Sequence, residues 1–305
     1  MSDIKLFAFK NGSAEELPGS AVTLEKSLQQ LIERNLEALL GVRFLASEYN
    51  TGPKHGGRID TLGVDENGSP VIIEYKRATN ENVISQGLFY LEWLIDHQAE
   101  FKILVMDKLG AKEAATIDWS APRLLCIAGG FTRYDENAVR LMNRNIELIR
   151  YRRFGEALLL LELVNATSAT EPTTQTVPVM APASGAAYKT ISDTLATLQG
   201  PLRDLYEELR AFLLAFGDDV QEKTVKYYIA FKRIKNFASV EVHPGKGCVT
   251  VYLKVDPDTI TLEPGYSRDV REVGHYGTGD LEVTLRNRAD LERARPLIQQ
   301  SYELS

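Results

Sequence analysis

The 305-residue sequence predicts an α/β protein, a mixed sheet flanked by helices, with a second, smaller α+β domain after it. Three observations carry this prediction. Residues 23–40 and 82–97 repeat apolar side chains at helical spacing. Short apolar, β-branched runs lie between and after them. A stretch rich in Ala, Thr, Ser and Pro, residues 165–187, then separates this half from a further set of helical and strand-like segments.

In the first helix Leu24, Leu28, Leu31, Ile32, Leu36, Leu39 and Leu40 recur on one face, with Thr23 as the expected N-cap and Gly41 as the stop. RIDTLGV, a turn at DENG, and VIIEYKR read as strand, turn and strand. The second helix, 82–97, carries Ile84, Leu88, Leu91 and Ile95 on one side. FKILVMD reads as a short apolar strand and LLCIAGG as another. A helix is expected at 134–143, and IELIRYRRF and ALLLLELV complete the half as strands. The order α-β-β-α-β-β-α-β-β describes a mixed-sheet α/β domain over 1–165. Residues 166–188 carry too little apolar surface to offset their ordering entropy and are expected to be a flexible linker. In the domain at 189–305, residues 190–216 read as helical with a break at Gly200-Pro201. VKYYIAF, FASVEVH and VTVYLKV read as strands, the last two joined by a PGKG hairpin. A final helix spans 289–302.

Composition narrows the function. No apolar run nears the ~18 residues needed to span a bilayer, and no secretory signal is visible, so no membrane role is expected. Cys126 and Cys248 fall in different domains and the four histidines are scattered, which leaves neither a disulfide framework nor a zinc finger and points to a reducing cytoplasm. The net charge is -7. That opposes a broad basic footprint for nucleic acid, although Arg140, Arg144, Arg150, Arg152 and Arg153 cluster locally.

The chemistry is concentrated in RIDTLGVDENGSPVIIEYKR. On the strand VIIEYK one face carries Val71, Ile73 and Tyr75, and the other carries Ile72, Glu74 and Lys76. Ionised groups on so apolar a strand are costly unless paired or bound to metal. Asp60 is the natural second carboxylate, and hairpin register decides whether it joins Glu74. A two-residue Asn67-Gly68 loop sets Asp60 opposite Tyr75, on the wrong face. A three-residue loop, Glu66-Asn67-Gly68, or an equivalent bulge, sets it opposite Glu74. Carboxylates so placed can bind Mg²⁺ or Mn²⁺ for phosphodiester cleavage, with the lysine beside them.

This stretch, with its flanking helices over about residues 25–164, resembles the PD-(D/E)XK nuclease superfamily, above all the catalytic domain of NucS-type endonucleases. The resemblance implies a restriction-endonuclease-like fold, Asp60 and Glu74 as metal ligands and Lys76 as the catalytic lysine. It also implies a helix glutamate upstream, for which the helical wheel selects Glu33, and a helix glutamine downstream, matched by Gln86. Lys54, His55 and Arg58, after which Arg150 and Arg152 share a strand face, are the expected contacts to the nucleic-acid backbone. Gly56 and Gly57 allow either close backbone approach to a phosphate or a simple turn. About twenty residues precede the first helix, so the separate N-terminal DNA-binding domain of that family is not expected, and mismatch or branched-DNA specificity is not implied. The C-terminal half resembles a small bacterial domain of unknown function, often labelled a predicted transport protein. Its mixture of Tyr227, Tyr228, Phe231, Lys232, Arg233, Lys235 and Phe237 suits base stacking or alternating core positions. The loop GHYGTGD lacks a following helix and is no P-loop.

The expected function is a metal-dependent DNA endonuclease of repair or defence. The alternatives are a nuclease-fold nucleic-acid-binding protein without turnover and a partner-recruiting scaffold. A protein partner at the C-terminal domain and a homodimer are further expectations.

Overall fold

The computed structural model describes residues 4–21, 25–77, 82–169 and 190–305, and the side chains of Lys54 and Asn82 lie outside that description. Contacts divide the chain into two units, Met1–Val177 and Pro178–Ser305. The first begins with strands β1 (Leu6–Lys10), β2 (Ser13–Leu17) and β3 (Gly19–Ser20). It continues with α1 (Glu25–Arg34), α2 (Leu36–Leu40), β4 (Val42–Asn50), α3 (Gly52–His55), β5 (Arg58–Asp65) and β6 (Pro70–Lys76). Then come α4 (Asn82–Asp96), α5 (Gln98–Leu109), α6 (Ala111–Ala115), β7 (Arg123–Ala128), α7 (Arg133–Arg140), β8 (Asn145–Phe154) and β9 (Leu158–Thr167).

The central sheet runs β3-β8-β7-β6-β5-β4, with β9 also paired to β8. Strands β6, β7 and β8 are mutually parallel, and β4, β5 and β6 are antiparallel neighbours. The apolar runs in β6 and β7 suit strands covered on both faces. Leu62, Ile72, Leu124, Cys126 and Leu148 pack with Ile84, Leu91 and Leu94 of α4 and Phe101 and Val105 of α5. Helix α1 packs against β5 and β6, burying Leu28 and Ile32. The result is an α/β mixed sheet flanked by helices.

Two expectations change here. FKILVMD is not a strand but the middle of α5. Phe101 and Val105, one helical turn apart, are buried, whereas Ile103 and Met106 are exposed. A short apolar run does not by itself reveal its period. The strand β4, absent from the sequence reading, carries a bulge between Phe44 and Ala46 that breaks its alternation. Strand β9 continues to Thr167, past the expected domain limit at 165. Most of the expected linker, and the Thr23 cap, lie outside the described residues.

The hairpin joining β5 to β6 has a three-residue loop. Asp65 N–H donates to the Ser69 carbonyl at 2.9 Å, and Gly68 N–H donates to the Asp65 carbonyl at 3.0 Å. Gly68 closes the turn at φ +78, a conformation that favours glycine. Beside this loop the buried Arg123 guanidinium donates to Asp65 and, through two nitrogens, to Glu147. One cation thus ties β5, β7 and β8 together at one end of the sheet.

The second unit comprises α8 (Ile191–Thr197), α9 (Pro201–Leu214), β10 (Gln221–Thr224), β11 (Ile229–Lys232), β12 (Asn236–His243), β13 (Cys248–Leu253), β14 (Ser267–Asp269), β15 (Leu281–Leu285) and α10 (Arg288–Glu303). Its antiparallel sheet runs β10-β11-β12-β13-β15-β14. Val240, Val251 and Val283 pack with Leu209 of α9 and Ile298 of α10. Ile229, Phe231 and Phe237 join this core, whereas Tyr228 packs with Val225 and Ala230 in a separate cluster, and Lys232 is buried as well, so β11 is covered on both faces rather than in alternation. The other face is polar and forms a groove of about 440 Å³ that includes Glu241, Thr250, Tyr252 and Glu282. No helix among the described residues is long and apolar enough to cross a membrane.

Candidate active site

Register brings the two acids together. Thr61 pairs with Ile73 and Leu62 with Ile72, which sets Asp60 opposite Glu74. Beyond Thr61 the side chains take over from the ladder. Asp60 N–H donates to Glu74 Oε1 at 3.2 Å, and Tyr75 N–H donates to Asp60 Oδ2 at 3.0 Å. Glu74 is fully buried. Burial, and then the neighbouring Asp60 carboxylate, push its carboxyl up to about 9. Burial likewise raises Asp60, opposed by the Tyr75 N–H and Lys76.

Lys76, two residues beyond Glu74, donates from Nζ to Glu25 Oε1 at 3.2 Å, and Arg77 N–H donates to Glu25 Oε2 at 3.2 Å. Glu25 begins α1, so the helix start reaches the end of β6. A cleft of about 430 Å³ opens there, lined by Glu25, Gln29, Asp60, Gln86 and Tyr90 together with Lys26, Glu48 and Arg58. The buried Gln29 donates to the Asp60 carbonyl at 2.8 Å, fixing the backbone that carries the acid. Gln86 donates to Tyr90 OH at 3.4 Å, and that hydroxyl accepts the Arg58 N–H at 3.1 Å. Gly57 is explained by the same ring. A Cβ there would lie 2.5 Å from the Tyr90 ring, so its close backbone approach is to an aromatic side chain.

Other expected site residues lie elsewhere. Glu33 does not join the Asp60–Glu74 pair. Its carboxylate accepts from Thr61 at 2.6 Å and from Gln29 at 3.0 Å, and Thr61 leaves the strand on the face opposite Asp60. The acid that α1 delivers to Lys76 is Glu25, one residue outside the stripe that drew attention to Glu33. Arg150 is also corrected as a phosphate contact. It is buried and donates from Nε and Nη2 to Glu162 at 2.9 and 2.6 Å, so its charge is answered within the sheet. Arg152 donates to the Ile4 carbonyl. Arg58 lines the cleft. Lys54 lies in α3, and its side chain is outside the described residues.

The residues present suit a divalent cation. Glu74 Oε2 is buried and has no hydrogen-bond partner, and an ionised carboxylate so placed beside Asp60 is disfavoured unless it takes a proton or meets a positive charge. Among the described residues no group of three or more His, Cys, Asp or Glu side chains could hold an ion. Two carboxylates are nonetheless the usual protein share for Mg²⁺, which keeps waters and takes phosphate oxygens for the rest.

Comparison with known proteins adds the following. Residues 191–305 match the family model described as a domain of unknown function, DUF5655. An uncharacterized protein of Haemophilus influenzae is 29% identical over 307 residues, spanning 98% of this chain and 100% of that protein. Among solved structures, a complex titled EndoMS-dsDNA2 is similar over 47% of this chain and 49% of its own, at 20% identity and a TM-score of 0.25. A repair endonuclease from Pyrococcus abyssi is similar over 48% of this chain and 65% of its own, at 17% identity and a TM-score of 0.29. This chain therefore spans less than two thirds of either of those two proteins.

Proposed function

We propose that the N-terminal unit is a divalent-metal-dependent nuclease of the PD-(D/E)XK kind, hydrolysing phosphodiester bonds in DNA. The observation that carries this reading is the Asp60–Glu74 pair, set face to face across antiparallel strands, with Glu74 Oε2 unpartnered and Lys76 projecting beside it. Asp60 and Glu74 are the residues that would hold Mg²⁺ or Mn²⁺. Such an ion, when bound, polarises the phosphate and lowers the pKa of a bound water.

The chain's own groups supply the rest. Lys76 carries a positive charge to the same strand end, where it can orient a water or stabilise charge developing on the phosphate. Glu25 positions that ammonium. Gln29 holds the Asp60 backbone in place, and Gln86 and Tyr90 shape the opposite wall of the cleft. The C-terminal unit, whose open polar sheet face carries a groove, fits a recognition or partner-binding role.

The test is incubation of the purified full chain with single-stranded, duplex and branched DNA, in Mg²⁺ or Mn²⁺ and in chelator. Metal-dependent cleavage lost in Asp60→Ala supports the reading. Cleavage that persists in chelator, or in the variant, overturns it.

A further inference from the structure

The cleft mouth holds three charged side chains that the metal-centred reading leaves unused. Glu48 of β4 lies between two cations, Lys26 of α1 and Arg58 of β5. Lys26 Nζ is 2.5 Å from Glu48 Oε1, and Arg58 Nε is 2.6 Å from Glu48 Oε2. All three line the cleft that contains Asp60. Lys26 and Arg58 remain 50% and 68% exposed. Glu48 is held there by an unusual backbone, with φ +53, a conformation few residues other than glycine adopt.

One carboxylate thus receives two cations, one on each oxygen. A backbone phosphodiester has the same outline, a single negative charge shared by two non-bridging oxygens. We propose that Lys26 and Arg58 clamp one backbone phosphate of the DNA strand, and that Glu48 holds the place of that phosphate in the free protein. This rests on the nuclease reading of the neighbouring Asp60–Glu74 pair.

Exchange of carboxylate for phosphate is physically easy at this position. Exposed ion pairs contribute little net stability, so releasing Glu48 costs little, whereas each phosphate contact gains from counterion release. A stray anion must compete with a tethered carboxylate, while a strand that also reaches the inner site gains enough contacts to displace it. Glu25 and Asp60 face the same cleft, so once Glu48 swings away it leaves an acidic interior with a cationic lip.

The test uses the full chain, labelled single-stranded and duplex DNA, and fluorescence anisotropy in chelator over a range of salt concentrations. Lys26→Gln and Arg58→Gln should each weaken binding and each reduce the slope of log affinity against log salt by about 0.7–0.9. Glu48→Gln should tighten binding by up to about fivefold, the worth of one or two exposed ion pairs. Glu48→Gly, which suits the positive φ, should fold at least as well as the parent and show the same tightening. Unchanged slopes in both cation variants, weaker binding in a folded Glu48 variant, or no binding of either DNA form would overturn the clamp. Cleavage in Mg²⁺, measured alongside, separates the two readings. Altered slopes without any cleavage leave the clamp standing and remove the nuclease, whereas cleavage with unaltered slopes does the reverse.

Discussion

Replacing Glu74 with glutamine should stabilise the metal-free protein at neutral and alkaline pH. In the unfolded chain the Glu74 carboxyl ionises near its ordinary 4.5, whereas in the folded protein burial and Asp60 hold it protonated up to about 9. Between those values the folded state binds one proton more than the unfolded state, so stability falls as pH rises. Each pH unit in that window removes about 1.4 kcal/mol. Moving from about pH 4.5 to about pH 7.5 therefore costs the wild type roughly 4 kcal/mol. Glutamine has the same shape and no charge to lose, but its buried amide forfeits about 1–2 kcal/mol through an imperfect partner. The net gain at about pH 7.5 is roughly 2–3 kcal/mol, or about 5–10 °C in Tm for a unit of this size. Both tryptophans, Trp93 and Trp119, lie in the first unit, so a tryptophan-fluorescence melt in chelator reports that unit alone. At about pH 5 the advantage should vanish or reverse. A wild-type Tm that stays flat between about pH 5 and pH 8, or a variant that melts below the wild type at about pH 8, would refute the reasoning.

Three further outcomes follow from the same geometry. Asp60→Ala, Glu74→Ala and Lys76→Ala should each lower metal-dependent cleavage by at least about 100-fold, but calorimetric titration with Mn²⁺ should show the lysine variant still binding metal and the carboxylate variants binding poorly. Equal Mn²⁺ affinity in all three would place the ion elsewhere. Gly57→Ala should push the Tyr90 ring from its seat, costing about 1–3 kcal/mol. It should also reduce cleavage by disturbing the Tyr90 contacts to Arg58 and Gln86, and an unchanged melt and rate would show the ring to be free to yield. Arg123→Ala should leave Asp65 and Glu147 buried without their shared cation and cost about 3–5 kcal/mol in chemical denaturation. A loss below about 1 kcal/mol would mean that water or a rearranged neighbour replaces the guanidinium.

Sequence alone carried the β5–loop–β6 hairpin furthest, because alternation along VIIEYK and a glycine at the loop reduce the problem to a choice between two registers. Gln86 is singled out by the family resemblance rather than by its spacing, and the helix places it in the lining of the cleft. The helix glutamate was not within reach. A wheel reports which side of α1 a residue occupies, but Glu25 acts through its position at the helix start, where the end of β6 comes within reach. Arg150 illustrates a second limit. Its alternation with Arg152 was visible, but the strand pairing that delivers Glu162 to it is a long-range fact. The polar edge strands β10 and β14 carry too little apolar alternation to stand out, and α5 was mistaken because its apolar run is shorter than two helical periods. Glu48 gave no signal, since neither the bulge in β4 nor a positive φ at a glutamate is written in local composition.

The hairpin that carries the two acids constrains how this protein can vary over evolutionary time. Directly paired residues of antiparallel strands share a face whatever the length of the loop, so a residue added to the loop leaves Asp60 opposite Glu74 as long as the ladder keeps its register. A residue added within β5 or β6 must instead be absorbed by a bulge or passed along to the loop, because a slip of one turns one carboxylate to the far side of the sheet. Substitution in the loop is comparatively free, apart from Gly68, whose backbone is left-handed. Among related chains, changes of length between the two acids should therefore collect in the loop and spare the paired strands.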